Sequence, residues 1–378
     1  MSDTLPVTIL TGFLGSGKTT LLNRLLQRPE LSDTAVLINE FGEIGLDHLL
    51  VREIQDDIVL LNSGCLCCTV RGDLVTALRD LFLKRVRGEV DFRRLMIETT
   101  GLADPAPILH TLMTDPLIGA RYRLDGIVTT VDAVHGLAQF DAQPESVKQA
   151  AVADRIVITK ADLADADTLA ALHARLDGLN PASPRLIADH GAVEPADLLE
   201  AGLFKADSKI PAVADWLRAE AYETAHEHHG HGHHGHGHGH GHGHGHGHGH
   251  DHQHDDHAHD HHHHHDVNRH GDRISAFCLT LDEPVEWQHL VEALEMIIAA
   301  KGENLLRVKG ILNVAGQEAP VAVHGVQHVF HPPATLPGWP EGSDRRSRLV
   351  FITRDLSPAA IEKVVRAALG ITPELYGG

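Results

Sequence analysis

The residues Gly12-Phe13-Leu14-Gly15-Ser16-Gly17-Lys18-Thr19, set between the apolar run PVTIL and the helical pattern TTLLNRLLQ, constrain the fold more than any other feature of the chain. They match G-x-x-x-x-G-K-[ST], in the strand-then-helix context where that pattern builds a phosphate-binding loop. Gly12, Gly15 and Gly17 let the backbone wrap phosphate oxygens with N–H groups, and Ser16 and Thr20 are counted among the nucleotide contacts. Lys18 reaches the β and γ oxygens, and the Thr19 hydroxyl is suited to Mg²⁺. A glycine-rich turn before a helix would account for the glycines but not for Lys18-Thr19.

From this loop to about Asp162, β-rich apolar runs (TAVLI, IVLL, RRLMI, DGIVTTV, RIVIT) alternate with helical stretches. Such alternation predicts an α/β fold, a mostly parallel sheet covered by helices. Shorter helices are expected at 168–176 and 195–199, closing a nucleotide domain over 1–220. Composition then changes: 24 of the 45 residues in 226–270 are His, and Ala258 and Val267 are the only aliphatics there. A segment of this kind cannot bury enough apolar surface to offset its ordering entropy, so a disordered linker is expected over 221–271. Beyond it, strands are predicted at 273–281, 305–314, 321–331 and 349–353 and helices at 287–300 and 358–369, a small α+β domain over 272–378.

Two further segments belong with the loop. The run LMI ends in Glu98-Thr99-Thr100-Gly101, where an acidic residue and a glycine can hold the Mg²⁺ shell and sense the γ-phosphate; Glu98 is the candidate. After RIVI, Thr159-Lys160-Ala161-Asp162 offers a carboxylate able to accept from guanine N1–H and N2–H₂, which favours GTP over ATP. The first position of that motif is usually Asn, and Thr159 departs from it. A surface Lys/Asp pair opening a helix is the plainer reading of the same residues. Neither an arginine finger nor a water-orienting Gln stands out, so slow intrinsic hydrolysis is expected.

Cys65, Cys67 and Cys68 lie within four residues, after IVLL and before a helix near Arg71. Three thiolates so placed can give one ion three soft donors and leave a fourth position open, as suits a metal that must leave again. Redox chemistry and plain packing are the competing uses. Cys278, alone in a predicted strand, reads as a small core residue. Glu40 and Glu43, in the loop after TAVLI, could approach either Mg²⁺ or the second metal, and His110 is a weaker fourth ligand. The His-rich tract suits Zn, Ni, Cu and Co alike and reads as a metal reservoir that releases its load as pH falls through about 6.5.

A formal net charge of -20 without a Lys/Arg run disfavours nucleic acid and anionic lipid as partners. Without an 18-residue apolar stretch or a signal-like N-terminus, and with thiols clustered as for a reducing compartment, a cytoplasmic protein is expected.

The combination of GFLGSGKTT, NEFGEIGLD, NSGCLCCTVRGDL, ETTGLADP and TKADL resembles the CobW family of metal-chaperone GTPases, relatives of the nickel-inserting GTPases of hydrogenase and urease maturation. The segment after the His tract is similar to the family's C-terminal domain in size and position. The resemblance implies GTP hydrolysis coupled to binding of zinc, or cobalt, at Cys65, Cys67 and Cys68, and delivery to a client metalloprotein. Members tied to cobalamin synthesis, zinc homeostasis and nitrile hydratase activation leave the client open. A nucleotide-regulated metal store, a nickel insertase and cobalt delivery to corrin synthesis are the alternatives.

Overall fold

The computed structural model describes residues 4–39, 60–62, 70–199, 274–339 and 342–371. Seven strands form the first sheet: β1 (Leu5–Gly12), β2 (Thr34–Asn39), β3 (Leu60–Asn62), β4 (Arg94–Thr99), β5 (Tyr122–Asp132), β6 (Arg155–Thr159) and β7 (Arg185–Ile187). Their spatial order is β3-β2-β4-β1-β5-β6-β7, and every adjacent pair is parallel. The β/α alternation read from the sequence is thereby realised as a P-loop NTPase fold.

The near-continuous apolar strands follow from burial on both faces. Val7 and Ile9 of β1, Leu37 of β2 and Leu95 and Ile97 of β4 pack with Leu74, Leu78 and Leu81 of the helix Val70–Val86 and with Ile108 and Leu109 of the helix Ala106–Thr114. The intervening Leu10, Val36, Ile38 and Met96 point to the opposite face, against Leu21, Leu22 and Leu25 of the helix Lys18–Leu26. With both faces covered, only the strand ends are left to meet a ligand, and the register brings Leu10 beside Glu98, Gly12 beside Thr130 and Asp132 beside Thr159 at one rim.

The second sheet is antiparallel and six-stranded: β8 (Ile274–Leu281), β9 (Leu305–Leu312), β10 (Val321–Val326), β11 (Val329–Phe330), β12 (Ala334–Thr335) and β13 (Ser347–Arg354). One face packs on the helices Trp287–Lys301 and Pro358–Ala368 through Phe277, Leu279, Leu349 and Phe351. The other carries Leu306, Ile311, Val350 and Ile352 and meets Ala151 and Ala182 of the first body. Cys278 is only partly buried, packed against this second cluster. The run 321–331, expected as one strand, is instead a hairpin. Gln327 takes a left-handed φ of 53°, and the chain doubles back so that Val326 pairs with Val329.

A buried charge cluster joins the two bodies. Asp154, just before β6, accepts from Arg307 and, at 2.9 Å, from Lys309 of β9, while its other oxygen accepts from Ile127 N at 3.0 Å. Arg307 also donates to the Val152 carbonyl. Burial raises the Asp154 carboxyl, but Arg307 and Lys309 outweigh it and hold the group well below the usual carboxylate range. Removing the acid by Asp154→Ala leaves Arg307 buried without its counter-ion, while Lys309, which burial already pushes down to about 7, sheds its proton; a loss of about 3–5 kcal/mol in unfolding free energy is expected by urea titration. A loss under about 1 kcal/mol would mean that the cluster rehydrates freely.

His324 of β10 and His331 stack beside this cluster, with ring centroids 5.1 Å apart. Burial pushes His331 down to about 4 and His324 well below its ordinary value. The unfolded chain therefore protonates these rings first as pH falls below about 6.5. Their neutral forms cost nothing above that pH, and stability is lost between about 6.5 and about 4. In urea titrations with a chelator present, His331→Phe should flatten the decline in stability from pH 7 to pH 5; an unchanged slope would place the acid sensitivity elsewhere.

Candidate functional site

The C-terminal rim of the parallel sheet holds a cleft of ≈ 270 Å³ lined by Leu14, Gly15, Gly17, Lys18, Thr19, Thr20, Ile38, Glu98, Thr99, Thr100, Gly101 and Lys160. The loop after β1 is shaped by its glycines. Gly12, Gly15 and Gly17 have φ of 142°, 72° and 88°, which side-chain-bearing residues rarely adopt. Gly17 is the N-cap of the helix Lys18–Leu26 and brings no capping side chain, so the helix start can turn its N–H groups toward an anion.

Lys18 Nζ bridges the loop, donating to the carbonyls of Gly12 at 2.9 Å and Phe13 at 3.2 Å. The Thr19 hydroxyl donates to Glu98 Oε1 at 2.8 Å, joining the start of the helix to the end of β4. A hydroxyl and a carboxylate are hard oxygen donors, and together they fit Mg²⁺. Among the described residues, the buried Thr100 hydroxyl beside them has no hydrogen-bond partner, as befits a cleft lining that completes its bonds with a ligand.

Not every residue singled out from the sequence faces the cleft. Ser16 is fully buried, and its hydroxyl lies 2.6 Å from Thr130 Oγ1, so its side chain stitches the loop to β5. Thr159 lies beneath the loop, donating to the Ser16 carbonyl at 2.8 Å, with its methyl 3.3 Å from where a Gly17 Cβ would stand. Lys160, at a left-handed φ of 54°, reaches the rim and donates to the Gly15 carbonyl at 2.8 Å and to Asp132 Oδ2 at 2.7 Å. Asp162 stands on the 3₁₀ turn Ala161–Leu163, half exposed, with its Oδ2 3.8 Å from His190 Nδ1. Cys65, Cys67, Cys68, Glu40, Glu43 and the His-rich tract lie outside the described residues. His110 lies on the helix Ala106–Thr114, its ring 5.5 Å from that of His328.

Two buried residues do work that local sequence reading misses. Asp132, at the end of β5, accepts from Lys160, from His135 Nδ1 and from the backbone N–H groups of Val134 and His135. Burial raises its carboxyl, yet these donors prevail and hold it below the usual range, so it stays charged and fixes Lys160. An acid closing a parallel strand was the available signal. Gln149 is wholly buried and donates to the carbonyls of Gly101 at 3.3 Å and Ala103 at 2.9 Å, with no local pattern to mark it.

Gly101 and the loop are in backbone contact. A Cβ at Gly101 would sit 2.5 Å from Leu14 N and 2.7 Å from Leu14 Cα. Gly101→Ala must therefore push the two walls of the cleft apart, and a drop of tenfold or more in nucleotide affinity is expected by calorimetric titration, about 1.4 kcal/mol or more. Unchanged affinity would show that the walls separate without cost.

Residues 6–186 match the family described as the CobW/HypB/UreG nucleotide-binding domain, and residues 274–369 the cobalamin synthesis protein cobW C-terminal domain. The chain is 30% identical over 364 residues to the zinc chaperone YjiA of Escherichia coli, covering 96% of each chain. It is 32% identical over 396 residues to the zinc chaperone CobW of Pseudomonas aeruginosa, covering 97% of this chain and 92% of the relative. The crystal structure of zinc-bound YjiA GTPase from E. coli superposes with a TM-score of 0.63 at 27% identity, covering 97% of this chain and 98% of that one.

Proposed function

The chain belongs to the CobW family and is a GTPase, and from that premise we propose that it hydrolyses GTP to hand a transition metal, zinc before cobalt, to a client metalloprotein. The observation that carries the nucleotide half is the Thr19–Glu98 hydrogen bond, which closes the phosphate loop onto the end of β4 within one cleft. Lys18 and the N–H groups of the helix start meet the β and γ oxygens, and Gly101, in contact with Leu14, meets the γ end. Thr19 and Glu98 would hold Mg²⁺, which when bound neutralises charge developing on the phosphates. Asp162 selects guanine, and Lys160, clamped by Asp132, supports the base side of the pocket.

The metal half rests on chemistry in the sequence and on the relatives. Cys65, Cys67 and Cys68 supply thiolates, with Glu40 or Glu43 as an added donor. The names of the E. coli and P. aeruginosa relatives as zinc chaperones favour zinc as the cargo. In the sequence these thiols fall between the segment after β2 and the Glu98–Gly101 turn, the two segments whose motifs suit a response to a γ-phosphate. GTP orders both and closes the metal site, and hydrolysis loosens it for transfer. Among the described residues, no helix is long and apolar enough to cross a membrane.

Competition titrations with Zn²⁺ and Co²⁺, on protein lacking residues 226–270, test this reading. Affinity should be at least tenfold higher with a GTP analogue than with GDP, about 1.4 kcal/mol. Changing Cys65, Cys67 and Cys68 together to Ser should abolish the difference. Equal affinity in both nucleotide states would leave a metal store with a regulatory nucleotide site.

A further inference from the structure

The turn that follows Glu98 is held from outside the nucleotide domain. Three residues beyond Gly101, Asp104 accepts from its own helix start, Ala106 N to Oδ1 at 3.0 Å. Its Oδ2 takes two more donors, Lys148 Nζ at 2.9 Å and Gln327 Nε2 at 3.1 Å. Gln327 is the left-handed residue between β10 and β11, so the second sheet places an amide directly on the segment that leaves the γ-phosphate turn. An ionised carboxylate only accepts, and the Gln327 amide must present its NH₂ to it.

The surroundings make this contact informative. Helix Pro144–Ala151 carries Gln149, which holds the Gly101 and Ala103 carbonyls, and Lys148, which holds Asp104. Just past its end, Val152 and Asp154 take Arg307 and Lys309 of β9. The second sheet is thus fixed at a buried ionic anchor and, farther along, reaches the segment leaving the nucleotide turn through the half-buried Gln327 amide. Val326, next to Gln327, is buried in the core with Ile108 and Leu109 of the helix Ala106–Thr114 that follows Asp104, so a shift of that helix start bears directly on the hairpin.

We propose that the Asp104–Gln327 hydrogen bond couples the nucleotide state to the second sheet, with Gln327 a positioning residue for GTP hydrolysis and the β10–β11 hairpin the part that responds. It rests on the nucleotide reading of the cleft. When Gly101 engages the γ-phosphate, the 101–104 segment shifts with it; Asp104 moves too and carries the hairpin. In return, the hairpin holds Asp104, and through it Gly101, in the hydrolytic arrangement.

The test uses the full chain and its Gln327→Ala, Gln327→Lys and Gln327→Glu variants. Steady-state GTP hydrolysis, GTP-analogue and GDP affinity, and amide hydrogen exchange of residues 321–330 in both nucleotide states are measured on each. Gln327→Ala should lower kcat by about three- to tenfold with affinities held within about twofold, because the bond positions and does not bind. Gln327→Lys, which keeps a donor toward Asp104, should restore most of the rate; Gln327→Glu, which opposes one carboxylate with another, should fall below Ala. Hairpin exchange should differ between GTP analogue and GDP in the unmodified chain and lose that difference in the Ala and Glu variants. Equal rates in all three variants, a change confined to affinity, or hairpin exchange indifferent to a nucleotide that does bind would overturn the coupling alone. Absence of nucleotide binding by the unmodified chain would overturn the cleft reading and the coupling with it.

Discussion

Everything chemical in this chain depends on β1 being paired on both sides. Its register with β4 sets Leu10 against Glu98, and its register with β5 sets Gly12 against Thr130, so the loop that follows emerges between an acidic strand end and a hydroxyl-bearing one. Thr19 then finds Glu98, and Ser16 finds Thr130, without any long excursion of the chain. A slip of one residue in either pairing would turn the β1 side chains to the wrong faces and separate the loop from both partners. The loop glycines only exploit a position that backbone pairing has already fixed.

The second junction is of a different kind. An ion cluster with Asp154 at its centre is costly to desolvate, and apolar residues could fill the same space. What the charges add is direction, since Asp154 meets its partners only when β9 presents Arg307 and Lys309 in one orientation. That orientation is also what brings the β10–β11 turn to Asp104. Packing of Ala151 and Ala182 against Leu306, Val350 and Ile352 supplies area, and the charges choose the angle.

Much of this was legible in the sequence because the relevant physics is local. The glycines, Lys18 and Thr19 each have a reason within eight residues, and strands buried on both faces announce themselves as unbroken apolar runs. Thr159 was visible as a departure from the usual Asn; the structure shows it holding the Ser16 carbonyl beneath the loop. Residues acting across long separations were not legible. Asp132 clamps Lys160, Gln149 holds Gly101, and Gln327 reaches Asp104; Asp132 at least closes a parallel strand, but Gln149 and Gln327 sit in no pattern that singles them out. The hairpin at Gln327 was hidden because a left-handed glutamine is no turn signal, and the apolar run continues on both sides of it. Cys65, Cys67 and Cys68 were readable only as chemistry, three soft donors within four residues that suit a transition metal, and they lie outside the described residues.

Asp154 and its two cations come from segments more than 150 residues apart in the chain, on either side of the His-rich tract. Energetically they form one unit, because a change at 154 alone strands a buried charge that a matching change at 307 would remove. A C-terminal sheet borrowed from a relative would meet Asp154 without assurance of cations to pair with it.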